Sequence, residues 1–461
     1  MASPVALREL RVISTTVFNS NHSNCAAAPW TTAPKLDVVD YDAAGLAQDG
    51  LPDDTLKTRL YEQGAPTPGL SRGTIKISTR SLGAYSNIDP HPAAVMMNAA
   101  FGGVQSPGTN RNVACGASAT TVFIPFTAAN TETVPGMALL IGRKGDGRGC
   151  GEVKPIVACN ATHAVLGIPC NAAPAALDPI VISTTCFLNE DAPQSYLETL
   201  AIGKATADQR QTIGGAPTVK FSALGTSERP KMEIDLAVAD HRTVPVAARA
   251  SLQHATAPRR TLPAFSKGIG LLQFGDYNTA TRAPLKYSDL SHDPGVGYAE
   301  VPGPGGVNGV EAWQKVKSVP TMEFTLLYDE DMPGLEDDFL NLQGKAVVAQ
   351  FGHEMGKTFA IELAKAFQRA MPTPKASGPL SGVFVSLFGT DDYNATSNIR
   401  SSAARYHMFS EAPCTSSASA ALGRSSSAGS SPTPRSASWI RRSTSAWTPS
   451  STRRACSTRS T

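Results

Sequence analysis

Long apolar runs are missing from this sequence, and their absence excludes several classes of protein. No window of its 461 residues approaches the roughly 20 consecutive apolar residues of a membrane-spanning helix, so we expect a soluble protein without membrane insertion. The N-terminal segment carries Arg8, Glu9 and Arg11 and lacks the apolar stretch of about 7–15 residues of a secretory signal. We therefore expect no Sec-type export.

Paired cysteine motifs are also missing, although there are eight cysteines. None forms Cys-x-x-Cys and none lies near a paired histidine motif, which argues against a zinc site. We expect reduced cytoplasmic thiols, and the spacing of Cys159 and Cys170 leaves a hairpin disulfide open. The eight are Cys25, Cys115, Cys150, Cys159, Cys170, Cys186, Cys414 and Cys456.

Glycine and proline are plentiful instead. The 39 Gly and 34 Pro, with many Ser, Thr and Ala, favour short strands and turns over long helices. The length suggests two or three domains at roughly 100–200 residues each. The composition therefore predicts an all-β fold leaning towards α+β.

The C-terminal segment, residues 413–461, contains seven Arg and no Asp, Glu or Lys. Without it the net charge falls from +3 to 3 − 7 = −4, so the rest of the chain is slightly acidic. We predict a disordered, Ser/Arg-rich tail, because it has too little apolar surface to offset its ordering entropy. Two explanations stay open: an arm that contacts nucleic-acid phosphates, or, as we prefer, a coding region read out of frame beyond about Ser410.

Several stretches of the body have the period of two that is typical of half-buried strands. Residues 231–238 alternate strictly between charged or small and apolar side chains, and Met322, Phe324 and Leu326 repeat the pattern. A helix is predicted with Asp89 as its cap, Pro90 and Pro92 in its first turn, 93–100 as its body and Gly102 at its end, and a second helix is predicted over 335–342. Further strands are predicted at 74–78, 122–126, 137–142, 153–157, 164–168, 180–188, 196–202, 346–351, 358–363 and 383–387.

These elements suggest two tandem β-sandwich or half-barrel domains, each with a short helix, at about 1–250 and 251–412. A segment rich in Pro and Gly, 289–308, is interpreted as a flexible loop between strands.

No motif demands catalysis. The segment 352–358 resembles a phosphate-binding loop but is one residue too short, so a turn between strands is predicted. His353-Glu354 lacks the second His of a zinc protease, and Gly303, Gly305 and Gly309 do not have dinucleotide-loop spacing. The acidic group at 329–338 lacks calcium-loop spacing and is interpreted as a solvated surface. We therefore predict a non-enzyme with no catalytic, cofactor-binding or metal-binding residues and no cofactor.

Two stretches resemble the tail tube proteins of long-tailed bacteriophages, particularly those with a duplicated tube domain. The first runs from Ser81 to Ile168 and includes the predicted helix and the 153–168 hairpin. The second runs from Val319 to Leu363 and includes Gln350-Phe351-Gly352 and Gly356-Lys357-Thr358. The resemblance rests on patterns of strands, turns and a small helix.

The resemblance implies a structural virion protein that self-assembles into rings stacked as the phage tail tube, a conduit for DNA ejection. Its partners would be further copies of itself, other tail proteins and double-stranded DNA passing without sequence-specific binding. It would assemble in the host bacterial cytoplasm and reside in the virion.

Three alternatives stay open. Another virion component, such as a neck, decoration or baseplate protein, has the same β-rich character. A β-sandwich module that binds carbohydrate or a host surface would need an exposed aromatic platform, for which Trp30 and Trp313 are few and scattered. An enzyme of phosphate chemistry would rest on the defective loop at 352–358 alone.

Overall fold

The protein is described by a computed structural model. The described residues fall in one compact unit, Met1–Pro413, whereas the predicted disordered tail lies outside them. They are 7–18, 28–36, 38–51, 67–80, 82, 92–107, 112–142, 151–189, 192–203, 209–224, 229–244, 270–276, 283–285, 287–317, 319–327, 334–353, 355–377, 380–391 and 398–409.

The fold is mostly β-strand with a few short helices, which confirms the predicted class of all-β leaning towards α+β. The strands up to residue 188 are β1 (Leu7–Thr15), β2 (Lys35–Leu36), β3 (Asp40–Leu51), β4 (Thr67–Thr79), β5 (Gly102–Gln105), β6 (Asn112–Ala114), β7 (Phe123–Pro125), β8 (Ala138–Ile141), β9 (Glu152–Cys159), β10 (His163–Leu166), β11 (Pro179–Ile182) and β12 (Thr184–Leu188). The later strands are β13 (Tyr196–Gly203), β14 (Gln209–Ser222), β15 (Lys231–Val238), β16 (Asp240–Thr243), β17 (Gly270–Asp276), β18 (Ala283–Leu285), β19 (Tyr287–Asp293), β20 (Val296–Val307), β21 (Val310–Lys317), β22 (Thr321–Leu327), β23 (Lys345–Phe351), β24 (Phe359–Gln368), β25 (Thr373–Ser377), β26 (Leu380–Gly389) and β27 (Arg405–Met408).

The helices of the described chain are short, and none is long and apolar enough to cross a membrane. Both predicted helices are present, as α2 and α3. α2 ends immediately before Gly102, whose φ of 86° is a conformation that favours glycine. The four helices are α1 (Ala28–Thr32), α2 (Pro92–Phe101), α3 (Leu335–Leu340) and α4 (Asn398–Ser401).

β14 links two parts of the largest sheet. Its first half pairs with β13 and β16, and its second half pairs with β15. The change of partners occurs at Gly214, where φ is +59°. A Cβ added at Gly214 would lie 2.9 Å from the Phe18 ring and 3.0 Å from Ala239 Cβ, so both conformation and space require glycine there.

The main core is enclosed by two curved layers that meet where β24 pairs with β26, and the large sheet includes a half-barrel. One layer contains β18, β17, β23, β24, β27, β12 and β5, and the other contains β25, β26, β22, β19, β14, β15, β4 and β3. Phe274 of β17 meets Phe324 of β22 edge to face, with ring centroids 5.8 Å apart. The alternating residues of β15 and β22 supply this core, as their period predicts.

The described residues between 112 and 182, which are 112–142 and 151–182, form a second, smaller β structure. Its strand order is β6-β11-β8-β9-β10-β7. An antiparallel bridge between Cys115 and Phe126 joins its two edges, and the Gly116 amide donates to the Pro125 carbonyl at 2.7 Å. The six strands thus close into a barrel around Ile124, Leu139, Ile156 and Ile180 with their neighbours. The 153–168 hairpin predicted from sequence forms its β9 and β10.

The barrel packs on the outer face of β23 and β24 through a separate apolar cluster. That cluster includes Leu140, Val153 and Val181 of the barrel with Val348 and Ala360 of the sheet. β12 follows β11 directly and pairs with β27. The N-terminal and C-terminal parts of the chain therefore share strand pairs inside one compact unit, while the boundary predicted at 250/251 stays a prediction.

The segment predicted as a flexible loop, 289–308, is instead largely strand. β20 and β21 form a two-stranded hairpin, and β20 contains Pro302 and four glycines. The prediction was wrong because bulges at Pro302 let the pairing continue past residues that usually mark a turn.

Candidate functional site

The outer face of β24 carries a chain of buried hydrogen bonds beneath the barrel. Glu362 Oε2 accepts from Arg405 Nη1 at 3.1 Å and from His407 Nε2 at 3.0 Å. The other ring nitrogen, Nδ1, lies 3.0 Å from Thr185 Oγ1, which lies 2.8 Å from Ser183 Oγ. We refer to Ser183, Thr185, Glu362, Arg405 and His407 as the polar network.

One assignment of hydrogens satisfies the whole network. His407 Nε2–H donates to the carboxylate, so Nδ1 accepts from Thr185, which in turn accepts from Ser183. The Ser183 hydroxyl accepts from the Ala138 amide at 2.9 Å. Burial lowers the pKa of His407, and the hydrogen bond to Glu362 opposes that shift. The imidazole is therefore neutral near pH 7.

A hydroxyl that is hydrogen-bonded to an imidazole, which is in turn hydrogen-bonded to a carboxylate, is also the arrangement of a catalytic nucleophile and its base. Here Thr185 and His407 are 0% exposed and Glu362 is 2% exposed, so no solvent-borne substrate reaches the hydroxyl. The network therefore joins the barrel to the sheet, and a structural role accounts for every contact. Its members come from distant parts of the chain, which is why no sequence motif indicated it.

The segment that resembled a phosphate loop is a turn between strands, as predicted. β23 ends at Phe351, β24 begins at Phe359, and Gly352 and Gly356 have positive φ. The Gly352 carbonyl accepts from Gln350 Nε2 at 2.8 Å, and the His353 carbonyl accepts from the Gly151 amide. The first contact holds the turn to β23, and the second attaches it to the barrel. Glu354 lies outside the described residues.

His292 and Tyr406 form a second buried pair. His292 Nδ1 donates to the Thr321 carbonyl and Nε2 accepts from Tyr406 Oη, both at 2.8 Å. Burial lowers the pKa of His292 to about 4, so the ring is neutral and its tautomer is fixed by the carbonyl. Tyr406 stacks on Phe101 and Phe221. This histidine is part of the core.

The acidic segment is only partly described, since 329–331 lie outside the described residues. Asp338 of α3 lies 2.5 Å from Lys345 Nζ, which also contacts Asp276 at 2.5 Å. The ammonium group lies over the Phe274 ring, 5.9 Å from its centroid. Within the described ranges, no three His, Cys, Asp or Glu side chains converge as metal ligands would.

The two tryptophans of the body are not part of an exposed platform. Trp30 is fully buried, and Trp313 is partly buried and donates to the Gly214 carbonyl at 2.8 Å. No disulfide forms among the four described cysteines, Cys115, Cys159, Cys170 and Cys186, and the other four cysteines lie outside the described residues.

A long strand edge is the most prominent uncommitted feature of the described chain. β3 has 12 residues and, among the described strands, pairs with β4 alone. Asp40, Asp42 and Ala44 are exposed along it. Bulges interrupt its register between Asp42 and Gly45 and between Gln48 and Gly50. The other side of β3 offers backbone donors and acceptors to a further strand, apart from the Ala44 amide, which donates to Asp42 Oδ1 at 2.8 Å.

The β20–β21 hairpin pairs with no other described strand, and polar contacts attach it to the rest of the unit. Tyr298 Oη donates to the Ala99 and Ala100 carbonyls at 2.9 and 3.1 Å. Asn308 Nδ2 donates to the Ala239 carbonyl at 2.9 Å. Together with Trp313, these side chains bind main-chain carbonyls. No local pattern of residues indicated this arrangement.

No protein-family model matches the chain, and no curated protein sequence is significantly similar to it.

Proposed function

We propose that this protein is a structural virion component whose copies assemble into rings stacked as a bacteriophage tail tube, through which DNA passes on ejection. The observation that carries the proposal is the uncommitted edge of β3. A 12-residue edge strand is an aggregation hazard in a monomer and an adhesive surface in a symmetric assembly.

The residues that carry the resemblance to tail tube proteins support the same proposal. The first stretch contains α2, β5 and the barrel strands β6 to β10, and the second contains β22, α3, β23 and the start of β24. Residues 1–412 have a net charge of 3 − 7 = −4, which suits a conduit that does not retain DNA.

The alternatives receive less support from the described residues. Trp30 and Trp313 provide no aromatic platform for carbohydrate, and the hydroxyl, imidazole and carboxylate of Thr185, His407 and Glu362 are buried. A neck or baseplate protein would also assemble through an open strand edge such as that of β3. Its assembly would have a different shape from a stacked tube.

The test is negative-stain electron microscopy of the full chain at increasing concentration. Ala44→Lys places a charged, flexible side chain beside the open edge, and Ala117→Lys makes the same change at an exposed site on the barrel. We expect hollow tubes or stacked rings from the parent chain and from Ala117→Lys, and their loss in Ala44→Lys.

Each other outcome has a definite meaning. Uniform assemblies that are neither tubes nor stacked rings would favour another virion component. A folded monomer at every concentration would refute self-assembly. Tubes formed equally well by Ala44→Lys would exclude the β3 edge as the contact.

A further inference from the structure

The tip of the β20–β21 hairpin has an unusual chemical feature. Asn308-Gly309 is the only Asn-Gly pair in the sequence. Val307 pairs with Val310, and φ is +50° at Asn308 and +79° at Gly309, so the pair forms a two-residue turn of type I′. Both residues are partly exposed, and nothing lies within 4 Å of a Cβ built at Gly309.

The side chain of Asn308 is one of the contacts that hold the hairpin to the rest of the unit. Its Nδ2 donates to the Ala239 carbonyl at 2.9 Å. Only an amide nitrogen can make this bond, because a carboxylate is an acceptor and the Ala239 carbonyl is an acceptor too. Asn308 therefore has a role that depends on its carboxamide.

We propose that Asn308 is a site of spontaneous deamidation that controls how long the hairpin stays docked. After losing its proton to solvent base, the Gly309 amide nitrogen attacks Asn308 Cγ and forms a new C–N bond. The bond from Cγ to the side-chain nitrogen breaks, and ammonia leaves with a proton from water. Water then opens the resulting succinimide to aspartate or isoaspartate, so no oxidant or reductant is needed.

Glycine makes this attack easier than any other following residue, because it has no side chain to obstruct the approach to Cγ. Both products then weaken the docked hairpin. Aspartate places a carboxylate oxygen beside the Ala239 carbonyl, where two acceptors repel each other. Isoaspartate also adds a methylene to the backbone of a turn that has only two residues, which disturbs the pairing of Val307 with Val310.

Docking and deamidation oppose each other. For Cγ to approach the Gly309 nitrogen, the carboxamide has to leave the Ala239 carbonyl, so the docked state protects Asn308. The Tyr298 hydroxyl, which donates to the Ala99 and Ala100 carbonyls, stabilises that state. The deamidation rate thus reports how often the hairpin opens.

The experiment incubates the full-length folded protein at mildly alkaline pH and follows the conversion of each asparagine by peptide mass spectrometry. Exposed Asn160 and Asn171, each followed by alanine, are internal references. Tyr298→Phe removes one anchoring hydroxyl and keeps the ring. Tyr41→Phe is the matched control, since its buried hydroxyl has no hydrogen-bond partner among the described residues.

We expect Asn308 to convert before either reference. In Tyr298→Phe the rate should rise by about twofold to tenfold, the factor expected for the loss of one hydrogen bond, whereas Tyr41→Phe should match the parent chain. Conversion of the references while Asn308 stays intact would overturn the deamidation site. Equal Asn308 rates in the two Tyr→Phe variants would overturn its coupling to docking.

Discussion

Removing one charge from the polar network is expected to lower the free energy of unfolding by a large amount. Glu362→Gln keeps the size of the side chain and removes the negative charge that faces Arg405 and His407. The buried Arg405 guanidinium then loses the carboxylate that Nη1 contacts at 3.1 Å, whereas its Nε bond to the Ile399 carbonyl at 2.7 Å goes to a neutral group. The side chains of Glu362 and Arg405 are only 3% and 5% exposed.

Breaking a buried ion pair from one side costs about 3–5 kcal/mol, because the remaining charge has no compensation. We expect a loss of that size in the free energy of unfolding for Glu362→Gln and for Arg405→Met. The double variant removes both charges, so its loss should be smaller than the sum of the two by about 2 kcal/mol or more. His407 stays neutral in the double variant, since no carboxylate faces it.

The assay is urea denaturation of the full chain at pH 7, followed by far-ultraviolet circular dichroism. Asp235→Asn is the control, because the Lys220–Asp235 pair is exposed and its charged atoms are 3.8 Å apart. An exposed pair contributes about 0–1 kcal/mol, so this variant should unfold close to the parent chain. A loss below about 1 kcal/mol in Glu362→Gln would refute the argument, as would strictly additive single losses.

Two further changes test the core. The folded-state pKa of His292, about 4, lies below its usual 6.5, so the stability that the neutral ring contributes is complete above pH 6.5 and is lost as the pH falls towards 4. This contribution to the free energy of unfolding is about 3 kcal/mol. His292→Asn should therefore flatten the pH dependence of the unfolding free energy between pH 6.5 and 4. Gly214→Ala forces a positive φ on alanine and crowds Phe18 and Ala239, so it should lower the unfolding free energy by more than about 1–2 kcal/mol. Gly305→Ala, which meets nothing within 4 Å, should leave it nearly unchanged, and equal losses in the two glycine variants would contradict the steric argument.

Local sequence patterns predicted several elements correctly. The strict alternation of residues 231–238 predicted β15, and Pro92 and Gly102 bounded α2 correctly because each acts on its own backbone. The turn at 352–358 was also predicted, since a missing residue prevents a phosphate loop without any reference to the rest of the fold.

Long-range pairing decided the features that local patterns misjudged. The Pro and Gly residues of β20 indicated a loop, yet pairing with β21 supplies hydrogen bonds that offset their poor strand propensity. Closure of the barrel between Cys115 and Phe126 has no local signature, because it depends on the register of all six strands.

The fold class and its main apolar alternation could be predicted from the amino-acid sequence, because both follow from the period and composition of short segments. Only the tertiary structure brought Thr185, Glu362 and His407 into one buried chain, left one edge of β3 uncommitted among the described strands and placed Asn308 against the Ala239 carbonyl. The buried chain and the Asn308 contact join residues far apart in the chain, and such contacts form only when many strands have paired together.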